Sequence, residues 1–317
     1  LSIRRQRQMC IRDRVWSPFL SSLGSGATAF VYNGRFKPET YLELLQEYQI
    51  NVLCCTPTEY RMMAKLQNLD DYHLEHLHSA VSAGEPLNRE VVEQFKKYFN
   101  ITVRDGYGQT ESTLLIGFLK DTASRPGAMG KSIPGSYTTI IDDDGNEVEP
   151  NVKGNIAVPL DLPALFKGYF KEPERTAAAR LGDYYVTGDL AHQDEDGYFW
   201  FEGRKDDIII SSGYTIGPFE VEDALTNHPA VKECAVVASP HELRGNIVKA
   251  FIILQNGYTG DDELIKELQT FTKNEVAPYK YPRAIEFVED LPKTNSGKIR
   301  RVELRDAEVE KYNQEHE

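Results

Sequence analysis

Apolar positions in the first half of the chain alternate between the spacing of a helix and that of a strand. Leu42, Leu45 and Tyr48 follow one another at three-residue steps after Pro38. This spacing predicts a helix that begins near Pro38. Proline lacks an N–H group and is tolerated in the first turn, where that group has no partner within the helix. Helical spacing returns after Pro57 (Tyr60, Met63, Leu66) and after Pro86 (Val91, Phe95, Phe99), and short apolar runs occupy residues 52–55, 80–83 and 101–104. This alternation predicts an α/β layer with parallel strands.

Beyond residue 130 the pattern changes to short β-rich runs separated by turn signals. Asp144-Gly145-Asn146 and Asp196-Gly197 are two of these signals. Turn residues between β-rich runs are typical of hairpins. The region therefore predicts an antiparallel β subdomain that completes the first unit.

A second unit follows the polar segment 203–207. Gly217 and Pro218 precede a helical pattern that Pro229 stops. Strands are predicted at residues 234–238, 248–254 and 284–288, and Leu264, Leu268 and Phe271 predict a further helix. These elements predict a small α+β domain.

Length and charge limit the classes of function. A chain of 317 residues is long enough for about two domains. Its net charge of −13 excludes a nucleic acid or an anionic membrane held by bulk electrostatics, because both need a basic surface. The four cysteines have neither zinc nor disulfide-framework spacing, which indicates a reducing, cytoplasmic location. We predict no membrane span and no obligate protein partner.

The first fourteen residues differ from the rest in composition. They contain five arginines and one acid, Asp13. No apolar segment of the signal-peptide kind follows them. We interpret residues 1–14 as a non-native leader, with a native basic arm as the alternative, and leave them out of the fold prediction.

Candidate chemistry is concentrated in residues 105–111, with the sequence DGYGQTE. Its two glycines allow a close approach of the backbone to a ligand. Thr110 could donate to a phosphate oxygen while Glu111 holds Mg²⁺, since nucleotide-bound Mg²⁺ takes oxygen ligands. Taken alone, the segment fits a tight turn capped by these two residues better, so its weight depends on the other motifs.

Five motifs stand in one order along the chain: SAGEPL at 82–87, YGQTE at 107–111, VTGD at 186–189, the block 203–222, and PKTNSGK at 292–298. With these motifs the chain resembles the adenylate-forming superfamily of acyl-CoA synthetases, luciferases and peptide-synthetase adenylation domains, over about residues 15–310. The segments GPFEVEDAL and APYKYPRAIEFV are most similar to medium-chain acyl-CoA synthetases. The resemblance implies an α/β fold: part of a large adenylation domain at 15–203, a hinge at 204–207 and a mobile C-terminal domain at 208–317.

The resemblance also implies a role for each motif. Lys298 would be the catalytic residue, Glu111 the metal ligand and Gly108 one wall of the acyl pocket. Asp206 would be the hinge residue. The path of CoA would pass Ser212, Gly213 and Tyr214. The residues that would bind ATP or AMP are Gly84, Glu85, Pro86, Asp105, Gly106, Tyr107, Gln109, Thr110, Asp189 and Arg204.

The implied activity is that of an AMP-forming acyl-CoA synthetase. A carboxylate and Mg-ATP would give acyl-AMP and pyrophosphate, and the CoA thiol would then displace AMP. ATP, CoA and the carboxylate are thus the small-molecule partners, with Mg²⁺ as cofactor. Because acetate-specific relatives have tryptophan where Gly108 stands, the resemblance implies a short- to medium-chain acyl substrate.

Two features depart from the pattern of the family, one missing segment and one substituted position. No segment supplies the Ser/Thr/Gly-rich phosphate loop with its lysine, so we expect the chain to be a fragment that is inactive alone. Thr215 stands where close relatives often have arginine, which removes one phosphate or CoA contact. The alternatives are another adenylating ligase, such as an aryl-CoA ligase or a peptide-synthetase module, and a nucleotide- or CoA-binding protein without turnover.

Overall fold

The computed structural model describes residues 22–294 and 299–316. The described residues form two compact units. The first contains those up to Thr187 together with Ala191–Trp200, and the second contains Gly188–Leu190 and the residues from Phe201 onward. The predicted leader, residues 1–14, lies outside the described residues.

The first unit contains a five-stranded mixed sheet with the order β1-β2-β3-β4-β5. Its first three strands are parallel, as the sequence predicts, and its last three are antiparallel to one another. The strands are β1 (Val52–Cys55), β2 (Ser79–Ala83), β3 (Val103–Gln109), β4 (Thr113–Gly117) and β5 (Lys131–Ser132). A mixed sheet follows because β3 turns back into β4 through a short loop, whereas the parallel strands are joined by helices.

Two helices of this region begin at the predicted prolines, Pro38 and Pro57, and a third begins three residues after Pro86. The helices are α1 (Ser22–Gly24), α2 (Pro38–Glu47), α3 (Pro57–Ala64) and α4 (Arg89–Phe99), with a 3₁₀ turn at Leu69–Asp71. Thr56 and Glu59 form a reciprocal capping box at the start of α3. In the core, the buried rings of Tyr60 and Phe95 meet edge to face at 5.1 Å. The Tyr60 hydroxyl lies within 3.2 Å of the carbonyl oxygens of Leu53 and Val81, so it ties α3 to two parallel strands.

Two details differ from the predicted pattern. The helix after Pro57 ends at Ala64, before Leu66. Burial alternates along β1, so Cys55 is buried whereas Cys54 is exposed. The two cysteines differ in burial because successive strand residues point to opposite faces.

The second sheet has the order β10-β9-β7-β6, with β8 paired to β9. The pairs β6–β7 and β8–β9 are antiparallel, which confirms the predicted hairpin character. Its strands are β6 (Thr139–Ile141), β7 (Gly154–Pro159), β8 (Arg180–Leu181), β9 (Tyr184–Gln193) and β10 (Phe199–Arg204), and helix α5 (Pro173–Ala178) precedes β8. Asp142 accepts the backbone N–H groups of Asp144 and Asn146, which closes the predicted turn.

The second unit is the predicted α+β arrangement, with a sheet in the order β12-β11-β14-β13 and β15 parallel to β14. Its elements are β11 (Ile209–Ser211), β12 (Tyr214–Ile216), α6 (Pro218–Thr226), β13 (Val231–His241), β14 (Gly245–Leu254), α7 (Asp262–Glu275), β15 (Ala284–Phe287) and α8 (Arg301–Glu315). Val221 and Leu225 of α6 and Leu268 of α7 are buried against the strands. Sequence patterning missed α8, because Glu308 is its one buried residue and no apolar stripe marks it.

Within the described residues, no helix combines the length and the apolar character that crossing a lipid bilayer requires.

Candidate functional site

The carboxyl ends of β2 and β3 bring two of the sequence motifs together. The strands pair in parallel, with Ala83 opposite Gly106. The Asp105 carboxylate accepts the N–H groups of Gly106, at 2.9 Å, and of Leu87. Gly84 adopts a φ of 102°, in the left-handed region that glycine tolerates, so the chain can turn directly after β2. Ligands of parallel sheets bind at this kind of edge.

Asp105 is the buried acid of this edge. Burial raises the pKa of Asp105 to about 7, while the hydrogen bonds from the backbone of Gly106 and Leu87 act in the opposite direction. The carboxyl group therefore gains or loses its proton near neutral pH.

The 105–111 segment is mostly strand, which corrects the prediction of a turn after a strand that ends near residue 104. β3 continues to Gln109, and the turn begins at Thr110. The strand continues because residues 106–109 pair with β4, with an irregularity between Tyr107 and Gly108. The apolar run ends earlier than the strand, since backbone pairing does not need apolar side chains.

Gly108 of β3 lies directly against the backbone of β4. A Cβ at this position would stand 1.8 Å from the carbonyl oxygen of Thr113. Thr113 itself has a φ of 63°. Glycine at 108 is thus needed by the backbone contact, and its predicted role in an acyl pocket stays a prediction.

The last residues of the motif are held by side chains that sequence reasoning missed. The Gln109 amide donates to the carbonyl oxygen of Thr187 at 2.9 Å and accepts from the Tyr185 hydroxyl at 2.8 Å. The hydroxyl of Tyr169 donates to Oε1 of Glu111 at 3.0 Å. Thr110 stays exposed between them. No local pattern signals these contacts, because they join residues about 60 or 80 positions apart.

The side chain of Glu85 faces α3. Its Oε2 atom accepts from the Thr58 hydroxyl at 2.7 Å and lies 3.3 Å from the Arg61 guanidinium. Arg61 also donates to the Asn88 amide oxygen at 2.7 Å. The Glu85 side chain is thus engaged by α3, and the role of Gly84, Glu85 and Pro86 in binding ATP or AMP stays a prediction.

In the second unit, Asp189 and Arg204 attract one another. Asp189 is buried, and Arg204 donates to the carboxylate of Asp206 at 3.1 Å. Partial burial lowers the pKa of Arg204, but the charges of Asp189, Asp206 and Asp207 outweigh it and raise the pKa. Arg305 of α8 bonds the carbonyl oxygen of Asp206 and the Asp207 carboxylate, the latter at 3.1 Å. The predicted hinge residue is therefore attached to α8.

The predicted CoA residues form a tight hairpin between β11 and β12. Ser211 pairs with Tyr214, so Ser212 and Gly213 are its two turn residues. Their φ angles are 51° and 82°, the sign at both positions that a type I′ turn requires. The exposed Tyr214 ring stacks on Tyr279 at 4.4 Å. Gly213 therefore has a role in the backbone turn, and its place on the path of CoA stays a prediction.

Lys298 lies outside the described residues. The residues that flank it are held on both sides, since Lys293 and Ile299 form an antiparallel bridge. Arg301 contacts the Glu222 carboxylate through two nitrogens, at 2.9 and 2.5 Å. Charge pairs thus hold the chain beyond the PKTNSGK motif, without defining the position of Lys298.

A magnesium ion would find one protein ligand in the 105–111 motif. Within the described ranges, no group of three or more His, Cys, Asp or Glu residues is arranged to hold a metal. Glu111 is half-buried and uses Oε1 for the Tyr169 bond, while Oε2 carries no hydrogen bond among the described residues. Because Mg²⁺ often takes one or two carboxylates plus substrate phosphates and water, this donor set fits a nucleotide-bound ion.

Comparisons with known proteins agree with these motifs. A family profile described as AMP-binding enzyme matches residues 15–170, and one described as AMP-binding enzyme C-terminal domain matches residues 220–298. An uncharacterised acyl–CoA ligase of Bacillus subtilis (strain 168) is 67% identical over 93% of this chain and 56% of its own length. A mitochondrial acyl-coenzyme A synthetase of Rattus norvegicus is 47% identical over 92% of this chain and 51% of its own. The chain spans about half the length of the curated relatives it matches.

Solved structures of adenylating ligases share the fold. An anthranilate CoA ligase in complex with anthranoyl-AMP matches with a TM-score of 0.83 and 33% identity, covering 89% of this chain and 55% of that one. A benzoate CoA ligase from Burkholderia xenovorans LB400 matches with a TM-score of 0.78 and 33% identity, covering 88% and 56%. Two family matches in order, the sequence relatives and these structures lead to one conclusion: the chain belongs to the family of AMP-binding enzymes.

Proposed function

We propose that this chain is part of an AMP-forming acyl-CoA synthetase, an acid–thiol ligase that joins a carboxylate to coenzyme A. The observation that supports this most is the edge formed by β2 and β3. There a backbone turn at Gly84 stands beside Asp105, and the turn that follows β3 carries the hydroxyl of Thr110 and the carboxylate of Glu111 in succession. The backbone turn can pack against a flat heterocycle. The hydroxyl can donate to a phosphate, and the carboxylate can bind the metal ion of a nucleotide.

The first half-reaction is adenylation. A carboxylate oxygen of the acid attacks the α-phosphorus of ATP, the bond to pyrophosphate breaks, and acyl-AMP forms. Thr110 donates to a phosphate oxygen, Glu111 binds Mg²⁺, and Lys298 offsets the charge that develops on the reacting oxygens. When bound, Mg²⁺ supplies further positive charge to the phosphates. Asp189 and Arg204 bind the ribose hydroxyls.

The second half-reaction transfers the acyl group to sulfur. The CoA thiol attacks the acyl carbon, loses its proton, and expels AMP as the carbon–oxygen bond breaks. No catalytic Ser, Cys or His nucleophile is needed, because CoA brings the sulfur. CoA passes the hairpin of Ser212, Gly213 and Tyr214. Asp206 is the hinge residue about which the C-terminal domain moves between the two half-reactions. None of the described cysteines forms a disulfide, which suits a cytoplasmic enzyme.

The test is a chimera in which residues 15–317 replace the matching part of the Bacillus subtilis relative. It should catalyse carboxylate-dependent ATP–pyrophosphate exchange and form acyl-CoA. Lys298→Ala should abolish exchange but leave thioester formation from supplied acyl-AMP largely intact. A folded chimera without carboxylate-dependent exchange would contradict the proposal.

Aryl-CoA ligation is the second candidate, because the anthranilate and benzoate CoA ligases share the fold at 33% identity. Our proposal is a short- to medium-chain acyl substrate, because glycine stands at position 108 where the family resemblance gives acetate-specific relatives a tryptophan. Each further methylene of the acyl chain that is buried is worth about 0.8 kcal/mol. The kcat/KM values of the chimera for acetate, butyrate, octanoate and benzoate separate the two. A preference for benzoate would favour the aryl ligase.

A further inference from the structure

Two tyrosines from distant parts of the chain brace the end of the 105–111 motif. Tyr169 precedes α5 and donates to Oε1 of Glu111 at 3.0 Å. Tyr185 of β9 is buried and donates to Oε1 of Gln109 at 2.8 Å. The hydroxyls of Tyr169 and Tyr185 are also close neighbours. Tyr169 and Tyr185 together form the tyrosine brace, in which two adjacent phenols hold the side chains of Glu111 and Gln109.

The ring of Tyr169 is itself fixed in place. Its centroid lies 4.8 Å from that of Phe166, and the Arg175 guanidinium lies 3.9 Å from the same ring. The N–H of Phe166 donates to the backbone carbonyl of Glu111 at 2.7 Å. The segment that carries Tyr169 therefore holds both the backbone and the side chain of Glu111.

The Tyr169 hydroxyl is a constant donor to the carboxylate. A phenol has an ordinary pKa of about 10 and is protonated at neutral pH, so its O–H can serve as the donor. A phenol donates a single hydrogen bond, which engages Oε1 and orients the carboxylate while Oε2 remains available to a cation. A packing role alone would need the ring but not the hydroxyl.

We propose that Tyr169 is a positioning residue that orients the Glu111 carboxylate for the nucleotide-bound divalent cation, with Tyr185 setting the tyrosine brace from the side of Gln109. The inference rests on the proposed function, which makes Glu111 the metal ligand. Outer hydrogen bonds to metal-ligating groups typically change metal affinity or activity by about 10- to 100-fold.

The experiment removes one oxygen atom. In the chimera described above, Tyr169→Phe keeps the ring contacts with Phe166 and Arg175 but deletes the donor. We expect the Mg²⁺ concentration for half-maximal exchange to rise about tenfold, with the rate at saturating Mg²⁺ within about twofold of the unmodified protein. Electron paramagnetic resonance of Mn²⁺ with a non-hydrolysable ATP analogue should show a similar loss of affinity without turnover.

The matched control is Tyr184→Phe. Tyr184 is the neighbour of Tyr185, and its hydroxyl donates to Glu147 at 2.8 Å, so the same chemical change is made at a tyrosine–glutamate pair elsewhere. It should leave the Mg²⁺ and Mn²⁺ responses unchanged. In a Glu111→Gln background, Tyr169→Phe should have little further effect on Mn²⁺ affinity, because the two residues act together.

Three results would overturn the inference: an unchanged metal response in Tyr169→Phe, an equal loss of rate at every Mg²⁺ concentration, and an equal shift in Tyr184→Phe. A folded unmodified chimera without exchange would instead contradict the proposed function. The two failures are therefore distinguishable.

Discussion

Asp105→Asn should stabilise the protein much more at pH 8 than at pH 4.5. The folded-state pKa of Asp105 is about 7, against an ordinary value of 3.8, because burial disfavours the charged carboxylate. Between these two values the folded state binds more protons than the unfolded state, so stability falls as pH rises from about 4 to about 7. Above about 7 this loss is complete.

The size of the effect follows from the same difference. About three pKa units at about 1.4 kcal/mol each give an upper limit of about 4 kcal/mol. Asparagine cannot ionise, yet its side-chain oxygen can still accept the N–H groups of Gly106 and Leu87. The variant should therefore not show the loss of stability that the protein with aspartate shows as the pH rises.

Hydrogen exchange of the β2 and β3 amides, measured from pH 4.5 to 8.5 and corrected for intrinsic rates, reports the stability of this region even where the whole chain unfolds in several steps. Asp142→Asn is the control with the opposite sign, because hydrogen bonds from Asn146 lower the pKa of Asp142. That variant should lose stability at neutral pH. An Asp105→Asn variant that is less stable at pH 8, or a difference that does not change with pH, would refute the reasoning.

Three further predictions concern backbone and charge contacts. Gly108→Ala should destabilise the first unit by more than about 1 kcal/mol in urea unfolding, because its Cβ would collide with the Thr113 carbonyl; equal stability would show that β4 moves easily. Gly213→Val should lower the melting temperature of the second unit by the equivalent of about 1–2 kcal/mol, whereas Gly213→Asn should be tolerated, since its φ is 82°; equal melting of the two variants would contradict the type I′ turn. Glu222→Ala should cost about 3–5 kcal/mol of unfolding free energy, because it leaves Arg301 without its bidentate partner; a loss below about 1 kcal/mol would show that Arg301 finds another partner.

The parallel layer, its helices and the order of the motifs could be predicted from the sequence because local signals define them. Pro38 and Pro57 stand at the first residues of their helices, and short apolar runs mark β1 and β2. The Ser212-Gly213 turn was predicted as a ligand path but not as a hairpin. Its glycine, between two short β-rich runs, is a local signal of a hairpin.

The sequence by itself determined the family, the two-part α/β and α+β organisation and the candidate residues, because helix spacing, turn residues and motifs act over a few neighbouring positions. Tertiary structure alone decided which partners those residues have. Glu85 faces α3, Gly108 meets Thr113 across a bulged strand pair, and Tyr169 reaches Glu111 from 58 positions away. The raised pKa of Asp105 likewise arises from burial at the strand edge. Contacts between distant segments depend on how strands and loops pack, and no local pattern of residues carries that information.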